Sequence, residues 1–311
     1  MTVGFIGLGI MGGGMAANLL AKIPARGRAS HPLVVYNRTR SKADALVASG
    51  AVWADTPAEV GGQSNILFTM LARPEAVLET ASGPEGFLGR LPAGALWVDC
   101  STVNPSFSRR MAAEANALGV RFVDAPVTGS KAAARAGDLV FMIGGDPADV
   151  EECRPYLEMM GKRTVHVGAQ GMGASLKIVF NLMVGQAMLS FSEAVSLGRS
   201  LGLSQETLHD FLIGSMPVAG LIGFKRPKFE TGNYEADFPL ELLWKDLHLA
   251  ALTAYEQGVP LPSGNLAKEI YAMAASAGLS EQDFSVIYSF LNAEGPRQGA
   301  GDPQDGEGNV D

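Results

Sequence analysis

Cysteine is nearly missing from these 311 residues: Cys100 and Cys153 are too few for a disulfide framework and fit a reducing compartment. Histidine is almost as scarce, and His31, His166, His209 and His248 have no metal-ligand spacing, so no metal is expected. Positive charge is also short: 24 Lys and Arg against 32 Asp and Glu give a net charge of -8. That balance argues against nucleic acid or an anionic membrane surface as the main partner, because both need clustered cations. The most apolar long segment, Ile178 to Ser192, contains Asn181, Gln186, Ser190 and Ser192 and falls short of the roughly twenty apolar residues of a membrane span, so it reads as a buried helix. No secretory apolar region precedes the first strand, and a cytoplasmic location is expected. From Ala293 onward there is no aromatic, Ile or Leu residue, and five acidic residues face Arg297 alone. Half of the net charge therefore lies in a segment, 293–311, that reads as a disordered acidic tail.

Glycine, by contrast, is plentiful, and its placement near the N-terminus carries information. Val3 to Ile6 has the character of a buried strand, Gly7-Leu8-Gly9-Ile10-Met11-Gly12 follows, and Met11 to Lys22 has helical spacing. In strand, G-x-G-x-x-G, helix, the first glycine allows a tight turn and the second lets backbone approach a pyrophosphate. The third permits close helix–strand packing, with the phosphates at the helix N-terminus. The end of the second strand reads VVYNRTRSK. Asn37 stands where NAD-binding domains place an acid for the ribose, while Arg38, Thr39, Arg40 and Lys42 offer positive charge and hydroxyl donors, which points to NADP(H). The same stretch also reads as a solvated loop opening a helix capped by Ser41.

Strand-like runs at Val34 to Asn37, Asn65 to Leu71, Leu96 to Cys100, Arg121 to Ala125, Leu139 to Ile143 and Thr164 to Val167 alternate with helical patterns. Such alternation marks a doubly wound parallel sheet. From Gly173 to about Asn292 only helical periodicity and loops remain, with breaks at Gly202, Gly214 to Pro217, Pro227 to Pro239 and Gly258 to Pro262. The expected fold class is α/β: an N-terminal Rossmann doubly wound sheet over 1–168, then an all-α domain over 169–292 that begins with a long interdomain helix.

Four further stretches fall where loops leave strand ends: FTMLARP, DCSTVNP, DAPVTGSKAAARAGDLVFMIGG and GMGASLKIVFN. Asn104 with Pro105 reads as ordinary helix capping, and VTGSK as a turn. Lys177 opens a run of fifteen uncharged residues with Asn181 four positions on, so both face one side of a helix. A lysine entering an apolar helix either snorkels or performs acid–base chemistry with a shifted pKa.

Taken together, GFIGLGIMGGGMAANL, DCSTVNP, DAPVTGS, GMGASLKIVFN and FPLELLWKDL resemble the β-hydroxyacid dehydrogenase family from Val3 to about Leu291, and the semialdehyde reductase branch in particular. The resemblance implies a Rossmann domain, a helical domain, an active site between them and assembly as a homodimer or homotetramer. It makes Lys177 the catalytic lysine and Asn181 its neighbour. Beyond the glycine motif it places Met70, Leu71, Thr102 and Lys245 on cofactor-contacting positions. Thr102, Thr128, Gly129, Phe238 and Asp246 fall on substrate-bordering positions, and the backbone of Thr128 to Ser130 is suited to receive a substrate carboxylate. The implied substrate is a small carboxylate-bearing aldehyde or hydroxy acid. Two departures concern substrate choice: Thr128 replaces a usual Ser, and Glu241-Leu242-Leu243-Trp244 replaces a more polar, basic run. An imine reductase on the same fold and a non-catalytic dinucleotide-binding scaffold are the alternatives, and the presence of Lys177 argues against both.

Overall fold

The computed structural model describes residues 2–23, 33–213 and 220–292. The AKIPARGRASHP connection from 24 on, the Gly214 to Pro217 break and the acidic tail therefore lie outside the described residues.

Among the described residues nine strands form one sheet: β1 (Val3–Ile6), β2 (Leu33–Tyr36), β3 (Val52–Trp53), β4 (Ile66–Thr69), β5 (Leu96–Asp99), β6 (Arg121–Asp124), β7 (Val127–Thr128), β8 (Leu139–Gly144) and β9 (Gly161–Gly168). Their order is β3-β2-β1-β4-β5-β6-β8-β7, with β9 on β8. The first six are parallel, in the 3-2-1-4-5-6 order of a dinucleotide-binding sheet. Buried on both faces, β1, β4 and β5 carry almost uninterrupted apolar side chains, as parallel strands require. The far edge departs from the all-parallel expectation: β8 runs antiparallel to β6 and β7, and only β9 pairs parallel with it. The two-residue strands β3 and β7 are too short to leave a periodic signal.

Seven helices of the described residues flank the sheet: α1 (Gly12–Lys22), α2 (Asp44–Ala48), α3 (Pro57–Gln63), α4 (Pro74–Ser82), α5 (Pro105–Ala117), α6 (Lys131–Ala136) and α7 (Pro147–Met160). Two apolar layers separate them from it, one centred on Phe5, Phe68 and Phe141 and one on Trp97, Phe87 and Phe122. Ser41 does not cap a helix; Thr39 precedes a 3-10 turn at Arg40–Ala43 that leads into α2. Asn104 does occupy the N-cap position with Pro105 behind it, yet its amide donates to Ser106 Oγ at 2.6 Å instead of capping.

The second half is helical: α8 (Met172–Ser200), α9 (Gln205–Ile213), α10 (Leu221–Thr231), α11 (Leu240–Glu256), α12 (Pro262–Ala274) and α13 (Ile287–Asn292). Helix α8 is longer than the uncharged run implied. Its residues Met172–Arg199 have the length and mean hydropathy, 1.4, of a membrane-crossing helix. It nonetheless buries Lys177, Asn181 and Ser192 and packs on β8, α11 and α13, as the core helix of this domain. Its Phe191 packs in one core with Phe229, Leu243, Tyr271 and Tyr288. Pro227 does not break the chain as expected; it lies inside α10, which ends at Gly232 in the left-handed conformation, φ 66°.

Candidate active site

The glycine loop separates what the fold needs from what a ligand needs. Gly7 turns the chain at φ 100°, and a Cβ there would lie 2.3 Å from the Met70 carbonyl oxygen; at Gly12 it would lie 1.9 Å from that of Gly7. Backbone packing alone demands both glycines. At Gly9 a Cβ would meet nothing within 4 Å, so the protein leaves open space at the crest of the loop, directly before α1. Helix α1 begins with no acid in its first turn and no side-chain cap on Met11. Free N–H groups, a positive helix end and an open crest fit a pyrophosphate. Of the neighbouring residues, Leu8 is buried, Met11 packs on the core and Ile10 is exposed.

Leu8 is tied to the end of β2: its N–H donates to Asn37 Oδ1 at 2.9 Å, while Asn37 Nδ2 donates to the Thr39 carbonyl at 2.9 Å. An ionised acid at 37 would put its charge against that carbonyl, so the amide suits the loop as built. Arg40 lies 5.1 Å over the Trp53 ring, which stacks on Tyr36, and 3.8 Å from Asp55. Arg38 and Thr39 are exposed, and Arg38 has no ion pair among the described residues.

Under the loops after β4 and β5 lies a buried network that the sequence reading missed. Trp97 Nε1 donates to Thr69 Oγ1, Thr69 Oγ1 and the Ser101 N–H donate to Asp99 Oδ1, and the Leu71 N–H donates to Ser101 Oγ, all at 2.7–3.1 Å. Burial pushes the Asp99 carboxyl up to about 6, against the opposing pull of its hydrogen bonds. The network fixes Leu71 and the half-buried Met70 and Thr102 beside it. Lys245, from α11, crosses to this half and donates to the carbonyls of Ala72 and Thr102 at 3.2 and 3.0 Å.

Helix α8 starts at the end of β6. Asp124, the last residue of that strand, accepts from the Gly171 and Ala174 N–H groups at 2.7 and 2.8 Å, and burial raises its carboxyl to about 6. This carboxylate satisfies the helix N-terminus and fixes where the next turn places Lys177. Lys177 is 8% exposed; its ammonium donates to Asn181 Oδ1 at 3.0 Å and lies 5.6 Å from the Phe180 ring centre. Asn181 Nδ2 in turn donates to Asp246 Oδ2 at 2.5 Å. Lys245 Nζ stands 2.8 Å from Asp246 Oδ1, an ionic contact outside hydrogen-bonding angles. Burial lowers the Lys177 pKa to about 8; Asp246 opposes that shift and Lys245 adds to it.

The other expected residues are Thr128, Gly129, Ser130 and Phe238. Thr128 is half-buried, Gly129 has φ 138°, and the Ser130 hydroxyl accepts from the Ala133 N–H at 3.2 Å, capping α6. Phe238 packs edge-on against Phe284 at 5.6 Å, and its N–H donates to the fully buried Asp283, which also pairs with Lys225 at 2.9 Å. Lys131–Glu235 and Arg73–Glu241 ion pairs and a Ser106–Glu256 hydrogen bond link the two halves at 2.8–3.2 Å. Asp99 and Asp124 had a readable signal, a lone acid ending an apolar strand in LWVD and RFVD. Asp283 and Lys225 lie 58 positions apart and had none.

This arrangement, a parallel dinucleotide-binding sheet with a buried lysine brought in from a helical domain, defines a class of NAD(P)-binding oxidoreductase. Residues 2–168 match the NAD binding domain of 6-phosphogluconate dehydrogenase, and residues 171–291 match the NAD-binding domain of NADP-dependent 3-hydroxyisobutyrate dehydrogenase. A chloroplastic glyoxylate/succinic semialdehyde reductase 2 of Arabidopsis thaliana is 35% identical over 298 residues, 96% of this chain and 81% of that one. A Mycobacterium tuberculosis 3-hydroxyisobutyrate dehydrogenase solved with L-serine superposes with a TM-score of 0.82 at 29% identity, covering 94% of this chain and 99% of that one. A protein termed Psf3, solved with NADP+ and 2-OPP, gives 0.82 and 29%, covering 93% of this chain and all of that one. The chain belongs to the β-hydroxyacid dehydrogenase family.

Proposed function

We propose that this protein interconverts a small carboxylate-bearing aldehyde or keto acid and its hydroxy acid with NADP(H), Lys177 serving as general acid in reduction and general base in oxidation. The observation that carries the reading is the Lys177 cluster. Asp246 is matched by Lys245 at 2.8 Å, so the Lys177 ammonium is an excess positive charge in a buried place. A site of that kind suits an anionic substrate and an oxygen that gains charge in the transition state.

The bound cofactor would supply the hydride, held by Gly7 to Gly12, Met70, Leu71 and Thr102, with Arg38 and Thr39 toward a 2'-phosphate. Lys177 would stand against the carbonyl oxygen, stabilise its developing charge and give it a proton. Asn181 keeps the ammonium aimed without adding a charge that would raise its pKa. The backbone of Thr128 to Ser130 and the Thr102 hydroxyl receive the carboxylate, and Phe238 borders the substrate. Support for NADP(H) comes from Asn37 in the acidic position, the exposed Arg38 and the NADP+ held by Psf3. A cytoplasmic location remains part of the proposal, since relatives include a chloroplastic protein.

A homodimer is proposed on the helical half. Leu176, Val179, Phe180 and Met183 recur at three- and four-residue spacing on one side of α8, each 38–66% exposed. Four large apolar side chains in one stripe are more than a lone chain ordinarily leaves in water. Initial rates of NADPH oxidation with glyoxylate, succinic semialdehyde, tartronate semialdehyde and methylmalonate semialdehyde test the reaction, with a cyclic imine alongside. At least one acid-bearing aldehyde should turn over, faster with NADPH than with NADH. Turnover of the imine alone would overturn the proposal, as would turnover of none.

A further inference from the structure

We infer that Asp246, which the family resemblance puts on a substrate-bordering position, is instead a positioning residue that orients the Asn181 amide toward Lys177 and does not touch the substrate. The inference rests on the reading of Lys177 as the acid–base group. Asp246 is 1% exposed and lies behind Asn181, whose Nδ2 it accepts at 2.5 Å. An ionised carboxylate can only accept hydrogen bonds and an ammonium can only donate them. An amide held between the two has one allowed orientation: NH2 toward Asp246 and oxygen toward Lys177, as observed at 3.0 Å. With Asp246 removed, the amide is free to rotate its NH2 group toward the ammonium, donor against donor, and the lysine loses its anchor.

The charges complete the argument. Facing Lys177 are Asn181 and the Phe180 ring from its own helix, and Asp246 and Lys245 from α11. Lys245 is held elsewhere by the Ala72 and Thr102 carbonyls, so it balances Asp246 without competing for Asn181. Asp246 thus acts on the reacting group through one intervening side chain, and through Lys245 it is also tied to the loops of the cofactor half.

The test is a double-mutant cycle with kcat, KM and the Lys177 titration as readouts. Asp246→Ala should lower kcat by about ten- to a hundredfold, the worth of a charge-assisted hydrogen bond, with substrate KM and NADPH Kd within about threefold. Asp246→Asn keeps an acceptor for Nδ2 and should retain more of kcat. In an Asn181→Ala background, Asp246→Ala should add less than about threefold, because its route of action is already gone. Following Lys177 by NMR of carbon-13-labelled lysine in the ligand-free protein, with Lys177→Met for assignment, needs no substrate. Its midpoint should move to lower pH in both Asp246 variants. A raised KM with unchanged kcat and titration would place Asp246 on the substrate and overturn the inference, as would full additivity with Asn181→Ala. Absence of turnover in the unmodified protein would strike the proposed function, while the ligand-free titration would still decide whether Asp246 acts on Lys177.

Discussion

Gly9 and Gly12 lie three residues apart in one loop, yet they answer to different masters, which makes them a direct probe of cofactor binding. Gly12→Ala drives a methyl to 1.9 Å from the Gly7 oxygen and should destabilise the protein by about 1–3 kcal/mol, read by denaturant melting. Gly9 is outside the left-handed region and a methyl there meets open space. Gly9→Ala should keep stability within about 0.5 kcal/mol and weaken NADPH binding about tenfold or more. Unchanged affinity would mean that the pyrophosphate does not pass over this crest. Arg38→Ala separates the two cofactors. It should weaken NADPH about ten- to a hundredfold and leave NADH nearly as it was, since only one of them carries a phosphate on the ribose. Equal loss for both in titration calorimetry would assign Arg38 to the adenine or to the loop instead.

Elements are held in place by single buried acids, and two of them brace the segments that carry the proposed site. Asp99 sets the loops after β4 and β5, and Asp124 sets the first turn of α8. Both carboxyls are raised from an ordinary 3.8 to about 6, chiefly by burial. A raised folded pKa means the native state holds the proton more tightly. The stability gained from this is full below pH 3.8 and is lost as pH rises through about 6. Carbon-13 carboxyl titrations should therefore show both midpoints near 6, and midpoints below 4 would contradict the burial argument. Asp124→Ala strands two helix N–H groups and should cost about 1–3 kcal/mol, with kcat reduced because Lys177 stands one turn further along. Much of this element layout was legible in the sequence. Alternation of apolar runs and helical patterns identified the parallel core, and Lys177 with Asn181 stood out because a charge opening an apolar helix is rare. The antiparallel edge was not legible: β7 is two residues long, α6 stands between it and β8, and periodicity does not report strand direction. Pro227 misled because a proline in a helix interior usually breaks it, whereas α10 accommodates one turn before its end at Gly232. The Asp246 partnership with Asn181 spans 65 residues and no local pattern could announce it.

At the scale of the whole molecule, the proposed site draws on both halves. The Rossmann half has an open glycine crest and loops braced by Asp99, and the helical half holds the Lys177, Asn181 and Asp246 cluster, with Lys245 bonded across to the Ala72 and Thr102 carbonyls. Self-association would then protect the apolar stripe on α8. Light scattering at micromolar concentration should give about twice the 32.6 kDa chain mass or a larger even multiple, and the single-chain mass would reject the proposed dimer. The division of labour between the halves also predicts how activity should fail. Lys177 belongs to the helical domain and is separate from the nucleotide loop, so removing it should spare cofactor affinity and strike the chemical step. In the free enzyme its pKa of about 8 requires the reduction rate to fall as pH rises through 8 and the oxidation rate to rise through the same range. The most direct measurement is kcat and NADPH Kd for Lys177→Ala and Lys177→Arg on the best aldehyde of the panel. The alanine variant should lose about a hundred- to ten-thousandfold in kcat with Kd nearly unchanged. Arginine should not restore activity, because its guanidinium keeps the charge and scarcely releases a proton near neutral pH. Near-full activity in either variant would contradict Lys177 as the proton donor.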